Sequence, residues 1–164
     1  MKTENNISNS NYFFVGIGGI GMSALARYFN SHGCKVVGYD KTETELTKNL
    51  ISEGISIHFE DNISQIPTDF TKENSVIIYT PAIPKDHRQF NYLKDNGFVL
   101  KKRSEILGDI TKDRFTIAVA GTHGKTTTST MIAHLLKESG VNVTAFLGGI
   151  SSNFNSNLVL GDFN

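Results

Sequence analysis

The sequence predicts an α/β fold built on a parallel sheet, and three observations carry that reading. Short apolar runs alternate with stretches of helical periodicity, which implies right-handed βαβ crossovers and parallel strands. Glycine-bearing turns lie between a strand and a helix at two places. A charged break, Thr111-Lys112-Asp113-Arg114, separates the two turns, and the strand–loop–helix pattern restarts after it. The prediction is one parallel-sheet domain over residues 1–112 and the opening of a second α/β domain over residues 113–164.

Each element follows from local chemistry. Residues 1–10 are polar and predict a frayed terminus. Residues 12–15 (YFFV) are a dense apolar run suited to a buried parallel strand. Ala24, Leu25, Tyr28 and Phe29 then recur at helical spacing, and Gly33 ends that helix. Residues 35–39 (KVVGY) predict a second strand, closed by Asp40. Thr42 and Glu45 have capping-box spacing and open a helix carrying Leu46, Leu50 and Ile51, which Gly54 stops. Residues 55–59 alternate as a third strand, and residues 75–80 (SVIIYT) form a fourth, ended by Pro81 and Pro84. A short helix over 89–96 stops at Gly97, a fifth strand covers 98–100, and a short helix covers 104–110. After the break, residues 115–120 (FTIAVA) predict a strand. Met131, Ile132, Leu135 and Leu136 mark a helix that stops at Gly140. Residues 141–147 predict a strand, and residues 151–157 a polar loop. A second unit of that size is too small to bury both faces of an open sheet, so the chain is expected to be a fragment of a longer protein.

Composition narrows the function. The 164 residues hold 16 Lys+Arg and 16 Asp+Glu, a formal net charge of zero. Nucleic-acid binders and proteins of acidic membrane surfaces need a basic excess, so neither class is expected; small phosphorylated ligands held by local dipoles remain open. The single cysteine, Cys34, leaves no internal disulfide or cysteine-based zinc site and suits a reducing compartment. Residues 1–11 contain no apolar leader core. The apolar, glycine-broken stretch at residues 12–26 falls short of the roughly 18 apolar residues that a membrane span needs. A cytoplasmic protein without membrane insertion is predicted.

The first chemical motif is Gly16-x-Gly18-x-x-Gly21 between a strand and a helix. Glycine permits the tight turn and lets the bare backbone approach a diphosphate, while the helix N-terminus supplies open N–H groups and a positive dipole end. This is the pattern of a Rossmann-like domain. The bland alternative is a glycine turn used only for helix–strand packing. Asp40 ends the second strand, where an acid accepts hydrogen bonds from a ribose hydroxyl. Equally, Asp40 could cap the segment that starts at Lys41.

The second motif is Gly121-Thr122-His123-Gly124-Lys125-Thr126-Thr127. A Gly-Lys-Thr turn between a strand and a helix is a P-loop signature. Its N–H groups cradle phosphate, Lys125 reaches the β- and γ-phosphates, and the Thr126 hydroxyl ligates Mg²⁺. The general pattern places glycine where this chain has Val119; here the glycine is Gly121, a compact variant. Other residues have plainer readings. Cys34 is a packed thiol, and Phe13, Phe14, Tyr28 and Phe29 are core. His32, His87 and His134 are solvated or on helix faces, and His58 alternates along a strand. Lys101-Lys102-Arg103 is a solvated charge run from which Arg103 could reach a phosphate cleft.

Three segments, GIGGIGMSALARYF at 16–29, YTPAIPKDH at 79–87 and AVAGTHGKTTT at 118–128, resemble the Mur ligases of peptidoglycan synthesis. The resemblance covers the chain beyond its polar start. Histidine before Gly-Lys-Thr is similar to the member that adds the first residue, since members adding later residues usually carry Asn there. The muropeptide-recycling ligase shares GTHGKTT but departs from GIGGIGM. The resemblance implies three domains: a Rossmann-like one binding the UDP part of the substrate rather than NAD, a P-loop ATP-binding one, and a third that closes over ATP. It implies ATP and Mg²⁺ as cofactors, UDP-N-acetylmuramate and L-alanine as substrates, an acyl-phosphate intermediate, and a role in cell wall biogenesis and cell division. By position in the matching motifs, Gly18, Gly19, Ile20, Gly21 and Met22 cradle the substrate diphosphate, and Asp40 sits near the nucleoside. Thr80, Ala82 and Ile83 line the uridine side, and Arg103 faces the phosphates. Residues 121–127 hold ATP, with Lys125 and Thr126 acting on the transferring group and His123 at the reacting end. The alternatives are an NAD(P)-dependent oxidoreductase resting on the first loop and Asp40, which leaves the second loop unexplained, the recycling ligase, and a nucleotide-binding module without catalysis. The fragment is expected to be inactive alone.

Overall fold

Five short runs, most of them rich in aromatic and β-branched side chains, assemble into one sheet. The structure, a computed structural model, describes residues 10–162, so residues 1–9 of the stretch read as a frayed terminus lie outside the described residues. Strands β1 (Asn11–Val15), β2 (Val36–Tyr39), β3 (Ser56–His58), β4 (Ser75–Tyr79) and β5 (Val99–Lys102) pair in the order β3-β2-β1-β4-β5. Every pairing is parallel. Helices α1 (Ile20–Ser31), α2 (Glu45–Ser52), α3 (Arg88–Asp95) and α4 (Arg103–Thr111) lie among the connections, with one 3-10 turn at Ile63–Gln65. This is the expected α/β domain, with helix and strand ends shifted by a residue or two.

Each face of the sheet has its own core. Tyr12, Phe14, Val36 and Ile78 face α1 and α4, packing on Ala24, Leu25, Tyr28, Phe29 and Ile106. Phe13, Val15, Val37 and Ile77 point the other way, onto Phe70 and Leu93. Tyr12 stacks on Phe29 with ring centroids 3.8 Å apart. Cys34 is buried in the first core, and burial pushes its thiol up, which keeps it protonated and inert.

Helix α1 is buried almost all round, from Met22 to Ala26 and again at Tyr28 and Phe29. A helix between two layers has no solvent face to keep polar. Its second layer is a part of the chain predicted differently. Residues 145–151 and 156–159 form an antiparallel pair, β6 (Ala145–Ser151) and β7 (Ser156–Val159). Leu158 and Phe146 join the first core, with the Phe146 ring 5.4 Å from Tyr28. The expected strand over 141–147 therefore starts later, and the expected polar loop over 151–157 ends inside β7. The expected strand over 115–120 is not hydrogen-bonded into a sheet. Phe115 is 96% exposed and Ile117 is 52% exposed. A strand needs a neighbouring backbone to satisfy its N–H and C=O groups, and no described strand lies alongside. Helix α5 (Lys125–Glu138) forms as expected. It buries only Ala133, leaving Met131 and Leu135 more than half exposed.

Two helix starts differ from the sequence reading. The reciprocal box of α2 is Thr44 with Thr47, whose side chains bond each other's backbone N–H at 3.3 and 2.8 Å, and not Thr42 with Glu45. Thr47 and Leu50 are the buried residues of α2, while Ile51 faces water. Helix α3 is capped by two side chains. Asp61 accepts the N–H groups of Arg88 and Gln89 at 2.7 and 2.9 Å, and His87 Nδ1 accepts that of Phe90 at 3.2 Å. His87 is thus buried in a cap instead of solvated. His58 shares the same pocket, its Nε2 2.7 Å from Gln89 Nε2.

Burial lowers the pKa of both His58 and His87, outweighing the opposite pull of Asp61. Each ring folds neutral and takes up a proton more readily once unfolded. The stability they confer is present above the ordinary value of 6.5 and is lost as pH falls through the lower folded values. The thermal midpoint is therefore expected to drop between about pH 7.5 and pH 5. Hydrogen exchange should show α3 amides losing protection early, and an unchanged α3 would contradict this account.

Candidate functional site at one edge of the sheet

Parallel pairing places every strand's carboxyl end on one edge. The last rung runs Lys102, Tyr79, Val15, Tyr39, His58 across the sheet. The next residue of each strand, Arg103, Thr80, Gly16 and Asp40 among them, lies just past that rung. Strand order changes direction at β1, with β2 on one side and β4 on the other. A crevice opens at such a switch point, and ligands of open α/β sheets bind there.

The first glycine loop fills this crevice. Gly16 N–H and Ile17 N–H both bond Tyr39 O, at 2.8 and 3.0 Å, which ties the loop to β2. Gly18 N–H donates to Asp40 Oδ2 at 2.7 Å, and Thr42 N–H donates to Asp40 Oδ1 at 3.2 Å. Asp40 therefore braces the loop from below and does not cap α2. Gly19 N–H and Met22 N–H are also bonded, to Gly16 O and Gly19 O, and the Met22 side chain is buried in the core. Of residues 18–22, only Ile20 and Gly21 keep N–H groups without a partner among the described residues. They sit at the positive end of α1, where an anion is favoured.

Arg103 stands beside that end. A Cβ built on Gly21 would lie 3.1 Å from its Nη1, so glycine here admits the guanidinium against the helix start. Thr80 and Ile83 are half-buried and Ala82 is exposed, on the loop after β4. Ile83 packs against the second core.

The second loop is a separate nest. No backbone N–H from 121 to 127 is bonded to a described residue. Gly124 has φ 77°, the left-handed conformation that L side chains rarely adopt, and this turns the loop into α5. Lys125 Nζ donates to Gly121 O at 2.6 Å and Thr122 O at 3.2 Å, folded over the loop that it serves. Those N–H groups and this ammonium fit a phosphate chain. His123 is exposed. Thr126 lies against β6: a Cβ on Gly148 would approach its Oγ1 to 2.7 Å.

A cleft of about 390 Å³ lies beside the first loop, lined by Ile20, Gly21 and Arg103 on one side and Phe146 and Gly148 on the other, and Gly148 is the residue that lies against Thr126 of the second loop. The sequence reading missed Thr47 and Gly148. Thr47 Cγ2 would meet a Cβ on Gly18 at 2.9 Å, and neither contact has a local sequence signal. Among the described residues no group of three His, Cys, Asp or Glu could hold a metal, so Thr126 remains the single side chain read as a Mg²⁺ ligand.

A parallel sheet with a glycine loop at its switch point and a separate Gly-Lys-Thr loop before a helix defines an α/β protein with two loops of the type that cradles phosphate. Comparison with known proteins makes this specific. The profile of the Mur ligase family, catalytic domain, matches residues 11–115, and that of the Mur ligase middle domain matches residues 119–162. The chain belongs to the Mur ligase family. It is 60% identical over 149 residues to the UDP-N-acetylmuramate–L-alanine ligase of Flavobacterium psychrophilum, covering 91% of this chain and 33% of that protein. It is 54% identical over 162 residues to the same ligase of Christiangramia forsetii, covering 98% of this chain and 35% of that one. The chain thus spans about a third of these relatives. Among solved structures, the UDP-N-acetylmuramate-alanine ligase MurC of Thermotoga maritima superposes with TM-score 0.84 at 35% identity, over 92% of this chain and 35% of that one. The UDP-N-acetylmuramate:L-alanyl-gamma-D-glutamyl-meso-diaminopimelate ligase of Neisseria meningitides superposes with TM-score 0.82 at 25% identity, over 92% of this chain and 46% of that one.

Gly18→Ala tests the brace. The added methyl meets Asp40 Oδ2 at 2.8 Å and Thr47 Cγ2 at 2.9 Å, so loop, acid and helix must all shift. Overpacking of this kind costs about 1–3 kcal/mol, and a urea midpoint equal to that of the parent chain would contradict it.

Proposed function

We propose that the protein to which this chain corresponds is an ATP-dependent ligase that joins L-alanine to UDP-N-acetylmuramate in peptidoglycan synthesis. Residues 1–112 form its UDP-sugar-binding unit, and residues 113–164 begin its ATP-binding unit. The observation that carries this reading is the pair of open N–H arrays, at Ile20 and Gly21 and at residues 121–127, linked by β6, whose Gly148 lines the cleft beside Gly21 and lies against Thr126. High identity to ligases of that name, and family profiles that break between residues 115 and 119, support it.

In this mechanism the substrate diphosphate lies on the N–H groups of Ile20 and Gly21 with Arg103 beside it. Gly18, Gly19 and Met22 shape that loop, and Asp40 holds its lower side near the nucleoside. Thr80, Ala82 and Ile83 line the uridine side. ATP lies in the nest of Gly121, Thr122, His123, Gly124, Lys125, Thr126 and Thr127. A carboxylate is a poor electrophile until it is phosphorylated. The lactyl carboxylate oxygen bonds to the γ-phosphorus as ADP leaves. The alanine amine then attacks the carbonyl carbon, loses its proton, and inorganic phosphate departs. Mg²⁺ on the Thr126 hydroxyl supplies charge neutralisation at the phosphates when bound. For this step Lys125 must leave the carbonyls of Gly121 and Thr122 and turn its ammonium onto phosphate oxygen. His123 contacts the reacting end of the sugar substrate. The reaction uses ATP, and we place the protein in the cytoplasm. No helix among the described residues is long and apolar enough to cross a membrane.

A calorimetric titration of the chain tests the reading, with UDP-N-acetylmuramate, UDP and NADH as ligands. Binding of the UDP-sugar without binding of NADH is expected, and binding of NADH alone would overturn the proposal. Lys125→Ala should weaken ATP about 10–100-fold, the worth of a charge-assisted hydrogen bond. We expect no alanine-dependent phosphate release from the 164-residue chain by itself; robust release would contradict this.

A further inference from the structure

Resting on that reading, we propose that Asn157 is a positioning residue that fixes β6 and β7 against the first turn of α1 and so sets the separation of the two phosphate loops. Asn157 is 0% exposed and lies 134 to 137 residues from two of its partners. Its Nδ2 donates to Ile20 O at 2.5 Å and to Ser23 Oγ at 2.8 Å. Its Oδ1 accepts from Arg27 Nη1. Both amide hydrogens and the amide oxygen are therefore used, all on one stripe of α1.

The partners make the placement specific. Ile20 carries one of the two open N–H groups of the first loop, and its carbonyl is held by Asn157 and by Ser23 Oγ, the latter at 3.0 Å. Arg27 passes the constraint on, through Nε at 2.8 Å and Nη2 at 2.7 Å to Glu53, the C-cap residue of α2. On the other side, Asn157 precedes Leu158, which pairs with Phe146 across β6. Two residues further along β6, Gly148 lies against Thr126 of the second loop. One chain of contacts thus runs from Ile20 through Asn157 and β6 to Thr126.

Apolar contacts alone leave this junction free to slide, because they are non-directional. A buried amide does not. Any shift that breaks its hydrogen bonds leaves donors unsatisfied in a dry environment, a cost larger than the bond's own net gain. Asn157 thereby selects one seating of the second unit on α1.

The test separates this role from the proposed function. Labels are placed through Lys94→Cys and Glu138→Cys, on exposed sites of α3 and α5, in a Cys34→Ser background. Electron–electron resonance then gives the distance distribution without any ligand. The parent should show one narrow distance. Asn157→Asp keeps the size but removes both donors, and it should broaden or split that distance while cooperative melting persists. Ser23→Ala removes one partner and should broaden it less; this milder variant decides the matter if Asn157→Asp does not fold. Titration supplies the second readout. UDP, which reaches only the first loop, should bind Asn157→Asp within about twofold of the parent. The added affinity of UDP-N-acetylmuramate over UDP should fall about tenfold, the effect of roughly one lost hydrogen bond. An unchanged distance distribution overturns the proposal, and so does equal loss of UDP and UDP-sugar binding. If the parent binds neither nucleotide, the functional reading fails, and the ligand-free distances still judge Asn157.

Discussion

The parallel register centred on β1 is the constraint on which the rest depends. Parallel strands deliver all their carboxyl ends to one edge, and the last rung from Lys102 to His58 shows that they finish level. Because neighbours are added on opposite sides of β1, the loops after β1 and β4 diverge and leave a crevice between them. The glycine loop enters that crevice because it leaves the middle strand. Asp40 and Arg103 reach it because they follow adjoining strands. Gly16, Asp40, Thr80 and Arg103 are each the first residue after a level strand end.

Much of this was legible in the sequence because it is written in local periodicity and local turn chemistry. The five strands of the sheet, α1 to α5 and both loops announce themselves within windows of a few residues. The errors share a cause. Residues 115–120 have strand composition, yet composition cannot supply a neighbouring backbone, and Phe115 faces water. Residues 151–157 have loop composition, yet Asn157 is buried because three groups on α1 satisfy it. His87 looked like a surface histidine, yet Asp61 and Phe90 draw it into a cap. In each case the deciding partner is far along the chain or has no sequence signature.

The candidate site shows the same division. Glycine spacing announces two anion loops, but it does not say which N–H groups remain open. Only the structure shows that Asp40 takes the N–H of Gly18 and that Met22 is turned inward, which leaves Ile20 and Gly21. The acid that resembles a ribose ligand is also a brace. The glycines that resemble ligand contacts also make room for Asp40 and Arg103. The glycine pattern that suits binding also serves packing here, and sequence spacing alone does not distinguish the two uses.

Leu158 and Phe146 belong to the core beneath α1, although they lie far beyond the charged break near residue 112. The boundary seen in composition is therefore not a boundary in the apolar core. A chain cut at that break would bare the outer side of α1, including Tyr28 and the buried Ser23, to solvent. Trimming designed from sequence segments would make a stickier domain than one that keeps residues 145–159. The unit that folds and the unit that the sequence punctuates are different lengths of the same polypeptide.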